Sequence, residues 1–133
     1  MLGQYSEFAL TYLWVLGSIT TVTFALPLFF VPLTWAKLMM WRVPEDTDLA
    51  EYFGRCVGAF VLVVEFFILK GAYTEGGLQF TFDMLAVVFT LMLVVHIYGA
   101  IRRIQPITET LEIGLWAFLL FVTYICYPVS SGI

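Results

Sequence analysis

The 133-residue chain is 62% hydrophobic, 18% aromatic and only 12% charged, with a formal charge of −4 and a mean hydropathy of +0.96. A soluble domain averages roughly 45–50% apolar and about 25% charged residues, so too little polar surface remains here to cover a water-soluble globule. This excludes a soluble enzyme, a disordered tail and a disulfide scaffold, and the acidic balance excludes the basic patch that a nucleic-acid binder needs. What remains is a small integral membrane protein.

Four stretches reach the length of about 20 residues that a hydrocarbon core demands. The first is uncharged from Phe8 to Ala36, with Pro27 and Pro32 in its second half. It predicts a spanning helix over about 8–30, a break, and a short interfacial segment over 33–42 that carries Trp35, Lys37, Met39, Met40, Trp41 and Arg42; tryptophan and basic residues among apolar ones suit the headgroup boundary. Residues 2–7 hold no Lys or Arg, unlike the basic n-region of a cleaved signal peptide, so a retained helix is expected. The second span, about 49–69, contains Glu51, Arg55 and Glu65, and Asp48 with Glu51 forms a capping-box pattern before it. Gly76 and Gly77 supply the turn to the third span, about 84–101, with Thr81 as its expected cap. The fourth, about 113–131, has Thr108 as its expected cap. No segment alternates in the manner of an outer-membrane barrel strand. The expected fold is an all-α, integral membrane four-helix bundle with a short interfacial helix after the first span, as a single domain over 1–133.

Basic residues predict the orientation. Lys37, Arg42, Arg55, Arg102 and Arg103 belong to the connections between spans one and two and between spans three and four, whereas only Lys70 lies on the other side. The positive-inside rule then places both basic connections in the cytoplasm and both termini outside, in a bacterial inner membrane. Cys56 and Cys126 fall near opposite ends of their spans, with Cys126 fourteen residues beyond Glu112, about 21 Å along a helix. They are therefore expected to remain unpaired thiols.

Two ionisable residues stand inside the spans, Glu65 and His96, and such residues are expensive in hydrocarbon and default to a functional role. Gly54, Gly58, Val61 and Glu65 share one helical face. The Gly54 to Gly58 spacing is a GxxxG pattern that admits close helix approach, while Gly71 in the outer turn is expected to matter less. Glu65 should therefore face a helix, not lipid. His96 lies about 9 Å inward from Arg102 and Glu65 about 15 Å inward from Arg55 at the helical rise, so helix tilt and long side chains would allow the two to pair. Interhelical hydrogen bonding is the favoured role for both, ahead of a proton or substrate pathway or a cofactor site. His96 could serve as an axial ligand to haem or a chlorophyll-type pigment, but the chain has no second His for bis-histidine ligation. There is no HExxH, no CxxC and no carboxylate cluster at ligand spacing inside the apolar runs, so neither a metal site nor a catalytic residue is expected. The acidic run over 45–48 reads as a solvated loop. Ser18, Thr20, Thr21 and Thr23 are expected to bond back to their own helix or pack at an interface.

Pro44-Glu45, followed by Tyr52-Phe53-Gly54-Arg55-Cys56-Val57-Gly58, an apolar helix, a Gly-containing turn and a third helix ending Gly99-Ala100-Ile101-Arg102-Arg103, resembles the small bacterial four-helix membrane proteins grouped as DoxX-like, over residues 33–133. The resemblance implies a membrane subunit associated with redox or lipid-soluble partners and carries over no catalytic residue. The sequence as a whole points to a non-catalytic accessory subunit of a larger integral membrane complex, in contact with other membrane subunits and lipids. A small transporter or a lipid- or quinone-binding protein using Glu65 and His96 is the alternative.

Overall fold

Apolar runs too long for a small soluble core fold as four long helices and one short one in the computed structural model, which describes residues 1–129. Helix α1 spans Ser6–Phe30, α2 Pro32–Leu38, α3 Asp48–Thr74, α4 Leu78–Arg102 and α5 Ile107–Ile125. At 1.5 Å per residue the long helices measure about 28–40 Å, enough to cross a hydrocarbon core of about 30 Å. All four are apolar enough to do so, and the protein is an integral membrane four-helix bundle.

The prolines shape the first span. The residue before a proline is steered away from the α region. Val31, before Pro32, accordingly leaves helical geometry with φ −136° and ψ 55° and separates α1 from α2. Within α1, Thr21–Ala25 forms a π-helical turn. The expected interfacial segment is helical only to Leu38, because Met40 adopts the left-handed region with φ 64° and turns the chain before Trp41.

Charge truncated the expected spans more than it truncates the helices. Helix α3 continues past Lys70, whose ammonium lies 5.8 Å from the Phe66 ring centre. Helix α4 begins at Leu78, six residues ahead of Met84, because Asp83 is carried inside it and accepts a hydrogen bond from the Tyr127 hydroxyl at 3.0 Å. Helix α5 begins at Ile107, not Ile113, and ends at Ile125; the last residues of the expected fourth span, 130–131, lie outside the described residues. None of the three expected caps forms. Asp48 opens α3 without a side-chain capping bond, and Glu51 turns instead to Arg55 at 2.7 Å. Thr81 and Thr108 lie inside their helices; the Thr81 hydroxyl donates to the Gly77 carbonyl, four residues back, and Thr108 donates to Met39. The turn between α3 and α4 needs its glycine: Gly77 has φ +67°, a geometry that costs a side-chain-bearing residue.

The core lies at the end of the bundle opposite the basic connections. Ala9, Leu13 and Leu16 of α1 meet Ile68 and Ala72 of α3, Phe82, Leu85 and Phe89 of α4, and Cys126 just beyond α5. Tyr12 fastens α1 to α5, its hydroxyl 2.8 Å from Thr123 Oγ1. At the other end α3 approaches the proline break closely. A Cβ on Gly58 would stand 2.5 Å from the Phe29 backbone nitrogen, and one on Gly54 would stand 2.5 Å from Pro32 Cβ. Gly71 is not the tolerant position expected: it is buried, and a Cβ there would meet Thr81 Oγ1 at 2.8 Å. Both cysteines are free thiols.

These spacings predict a ranking. Gly58→Leu must displace backbone and should lower stability by about 1–3 kcal/mol. Gly71→Leu should fall in the same range, whereas Gly114→Leu, with nothing within 4 Å, should stay within about 0.5 kcal/mol. Reversible unfolding in mixed micelles measures all three, and equal stability of Gly58→Leu and Gly114→Leu would refute the close approach at Phe29.

Candidate functional site

The early start of α5 decides the chemistry of the basic end. Arg103 ends α4 in the left-handed region with φ 54°, and extended Pro106 opens α5. Proline suits a helix start because it lacks the N–H that the first turn leaves unbonded. Only 103–106 separate the two helices, so the first turns of α5 run back alongside the last turns of α4. Glu109 and Glu112, three residues apart and hence on one face, are thereby brought against His96.

His96 is 4% exposed. Its Nδ1 lies 2.7 Å from the Met92 carbonyl oxygen, and its Nε2 lies 3.0 Å from Glu109 Oε2 and 3.3 Å from Glu112 Oε2. The Trp116 indole N–H donates to the same Nε2 at 3.3 Å. A carbonyl only accepts and an indole N–H only donates. The Met92 carbonyl therefore takes the Nδ1 proton, and Nε2 faces an indole donor and two carboxylates together. Surrounding groups lock the arrangement. Gln105 donates to the His96 carbonyl and to Thr110 Oγ1, both at 3.1 Å. Trp41 Nε1–H donates to Glu109 Oε1 at 2.8 Å, which ties the loop after α2 to α5. The three potential donor atoms of His96, Glu109 and Glu112 lie within 4.8 Å of one another. The cluster sits at the end bearing Lys37, Arg42, Arg102 and Arg103, yet among the described residues no Lys or Arg forms a salt bridge with either carboxylate.

Glu65 occupies a separate site. It is 5% exposed on α3, and the Thr21 hydroxyl donates to its Oε2 at 3.4 Å across to the π turn of α1, with Thr20 also within hydrogen-bonding reach. Thr20 and Thr23 additionally bond back to the Leu16 and Ile19 carbonyls. Among the described residues no hydrogen bond joins Glu65 to His96, so the pairing considered from their depths is not the arrangement found. Both ring nitrogens of His96 have partners within the chain. Gly54 and Gly58, on the same face of α3 as Glu65, lie against Pro32 and Phe29 of this chain.

A shallow apolar groove of about 730 Å³ runs between α4 and α5, lined by Ala86, Leu93, Ala117, Leu120 and Phe121, with Asp83 and Tyr127 toward the opposite end. The Asp83 carboxylate accepts the Tyr127 hydroxyl and holds its phenol above the usual range, and burial pushes the neighbouring Cys126 thiol up.

Glu109 and Glu112 were the residues missed from the sequence. Their Glu-x-x-Glu spacing immediately after Pro106 was the available signal, since proline marks a helix start and the spacing puts both on one face. No family model matches the chain, and neither a curated protein nor a solved structure matches it.

The Glu65 environment predicts a small, specific effect. Interhelical hydrogen bonds in membranes average about 0.6 kcal/mol. Thr21→Val should therefore cost at most about 1 kcal/mol, and Glu65→Leu together with Thr21→Val should be less than additive. A double-mutant cycle in micelles measures the coupling; strictly additive losses would show that the contact contributes nothing.

Proposed function

We propose that the chain is a non-catalytic accessory subunit of a larger integral membrane complex, seated in a bacterial inner membrane with both basic connections in the cytoplasm. The supporting observation is the uncovered face of α5. Leu111, Leu115, Phe118 and Phe121, spaced by four, three and three residues, form one exposed apolar stripe. Only 6% of the most apolar stretch of α5 is buried by its own chain, against 28% for α1. A helix held by so little of its own bundle is suited to a neighbouring transmembrane subunit, whose packing would supply the contacts that lipid cannot order. The segments outside the helices are short: the longest internal one, 39–47, leaves no room for a soluble catalytic domain. The DoxX-like order of motifs supports the same reading, as a subunit among redox or lipid-soluble partners.

The alternative, a small transporter or a lipid- or quinone-binding protein, draws on the buried Glu65 and His96 and on the α4–α5 groove. Its weakness is that the two polar sites are not joined by a hydrogen-bonded path among the described residues, as a proton or ion relay would require.

Two measurements test the proposal. Extraction in a mild detergent should yield the chain with stoichiometric membrane partners, and Phe118→Ser should release it from them; a lone monomer overturns the accessory reading. Glu65→Gln keeps shape and hydrogen-bonding capacity and removes only ionisation, so assembly and host-complex activity should both survive. An assembled but inactive complex would favour the transport or redox alternative. Orientation is read separately: a tag at either terminus should react with a label that reaches the periplasmic side but not the cytoplasm, and exclusively cytoplasmic labelling would reverse the topology.

A further inference from the structure

The His96 cluster gathers one imidazole and two carboxyl groups in a single place. His96 Nε2 lies 3.0 Å from Glu109 Oε2 and 3.3 Å from Glu112 Oε2; with a neutral imidazole whose Nδ1–H meets the Met92 carbonyl, Nε2 and both carboxylates present lone pairs to one place. Three potential donor atoms from two helices thus converge on one small region, largely removed from water and, among the described residues, without a Lys or Arg paired to either carboxylate. A proton on Nε2 answers one carboxylate at a time, whereas a cation between the three atoms answers both at once.

We propose that His96, Glu109 and Glu112 bind a single first-row divalent transition-metal ion that clasps the end of α4 to the start of α5. Three independent features favour an ion. The first is spacing: two adjacent ligands at about 2.1 Å from one ion lie about 3.0 Å apart in octahedral geometry and about 3.4 Å apart in tetrahedral geometry, and the two imidazole–carboxylate separations are 3.0 and 3.3 Å. The second is charge: one divalent ion neutralises two carboxylates with a neutral imidazole, leaving the cluster balanced. The third is the outer support. Metal-binding imidazoles donate their other N–H to a carbonyl or carboxylate, and ligating carboxylates are themselves hydrogen-bonded; here Nδ1–H meets the Met92 carbonyl and Trp41 holds Glu109 Oε1, leaving Oε2 directed at His96. One nitrogen and two oxygens suit Zn²⁺, Mn²⁺ or Fe²⁺, whereas Ca²⁺ takes six to eight oxygens. Ion entry displaces the Trp116 N–H from Nε2, so binding is coupled to the indole. The clasp is structural and does not depend on the accessory-subunit reading.

The full-length protein, purified in mild detergent with its affinity tag removed and stripped with a chelator, is titrated with Co²⁺ as a spectroscopic probe and then with Zn²⁺. The expected result is one equivalent bound per chain, with visible d–d absorption, Trp fluorescence change and a Zn²⁺-dependent rise in melting temperature. His96→Gln, Glu109→Gln and Glu112→Gln should each weaken Co²⁺ binding by at least about tenfold, while Glu51→Gln, in the exposed pair with Arg55, should leave it unchanged. X-ray absorption of the Zn²⁺-loaded wild type should show one imidazole in an otherwise oxygen shell, a readout that stands even if a variant misfolds. Absence of Co²⁺ uptake by the helical, monodisperse wild type overturns the proposal. So does uptake unaffected by all three substitutions in folded variants, or a shell without imidazole.

Discussion

In hydrocarbon a polar side chain has no water to fall back on and must be answered by another group of the protein, and this requirement organises the basic end of the bundle. His96 cannot be left alone on α4, so α5 returns at once after a four-residue connection and brings Glu109, Glu112 and Trp116 to it. The loop after α2 is drawn in as well, through Trp41 to Glu109 and Thr108 to Met39. One buried imidazole thereby fixes three segments that hydrophobic packing alone would leave unregistered, since lipid and Leu offer an apolar helix nearly the same environment.

The two ends of the molecule are held by different physics. Toward the termini, α1, α3 and α4 share an apolar core around Phe82, which is fully buried and flanked by Tyr12 and Tyr127. Toward the basic connections, α3 meets the Phe29 backbone of α1 through Gly58 and the Pro32 ring of α2 through Gly54. The π turn of α1 lies along the helix between these regions and places Thr21 opposite Glu65. Wide turns of this kind inside α-helices are rare and recur at functional positions, and here the turn supplies a hydroxyl that a buried carboxyl requires.

How much of this was legible in the sequence follows from which forces act locally. The four spans were readable because each is a long apolar run, and the break after Phe30 because Pro32 constrains the residue before it. Helix ends were less legible: stopping a span at its first charge placed the start of α4 at Met84 and that of α5 at Ile113, whereas Asp83 and Glu109 are carried inside the helices by partners 44 and 68 residues away, Tyr127 and Trp41. The expected threonine caps failed for a related reason. Inside an apolar helix a threonine hydroxyl can satisfy itself on the carbonyl four residues back, as Thr81 does, so it need not mark a boundary.

The site was half legible in the same sense. His96 and Glu65 stood out because each interrupts an apolar run, but a depth argument alone could not assign their partners. Depth compares distances along two helix axes and ignores the direction in which each side chain leaves its helix. His96 points to α5 and Glu65 to α1, so a depth difference that tilt could close implied nothing about contact. The carboxylates that do meet His96 lie just ahead of the expected start of the fourth span at Ile113. Had Pro106 been taken as the helix start, Glu109 and Glu112 would have fallen on one face about 4–9 Å into α5, comparable to the about 9 Å that His96 lies back from Arg102 along α4. Matching distances from a short turn, more than the polarity of any single residue, identify which ionisable groups two adjacent helices can bring together.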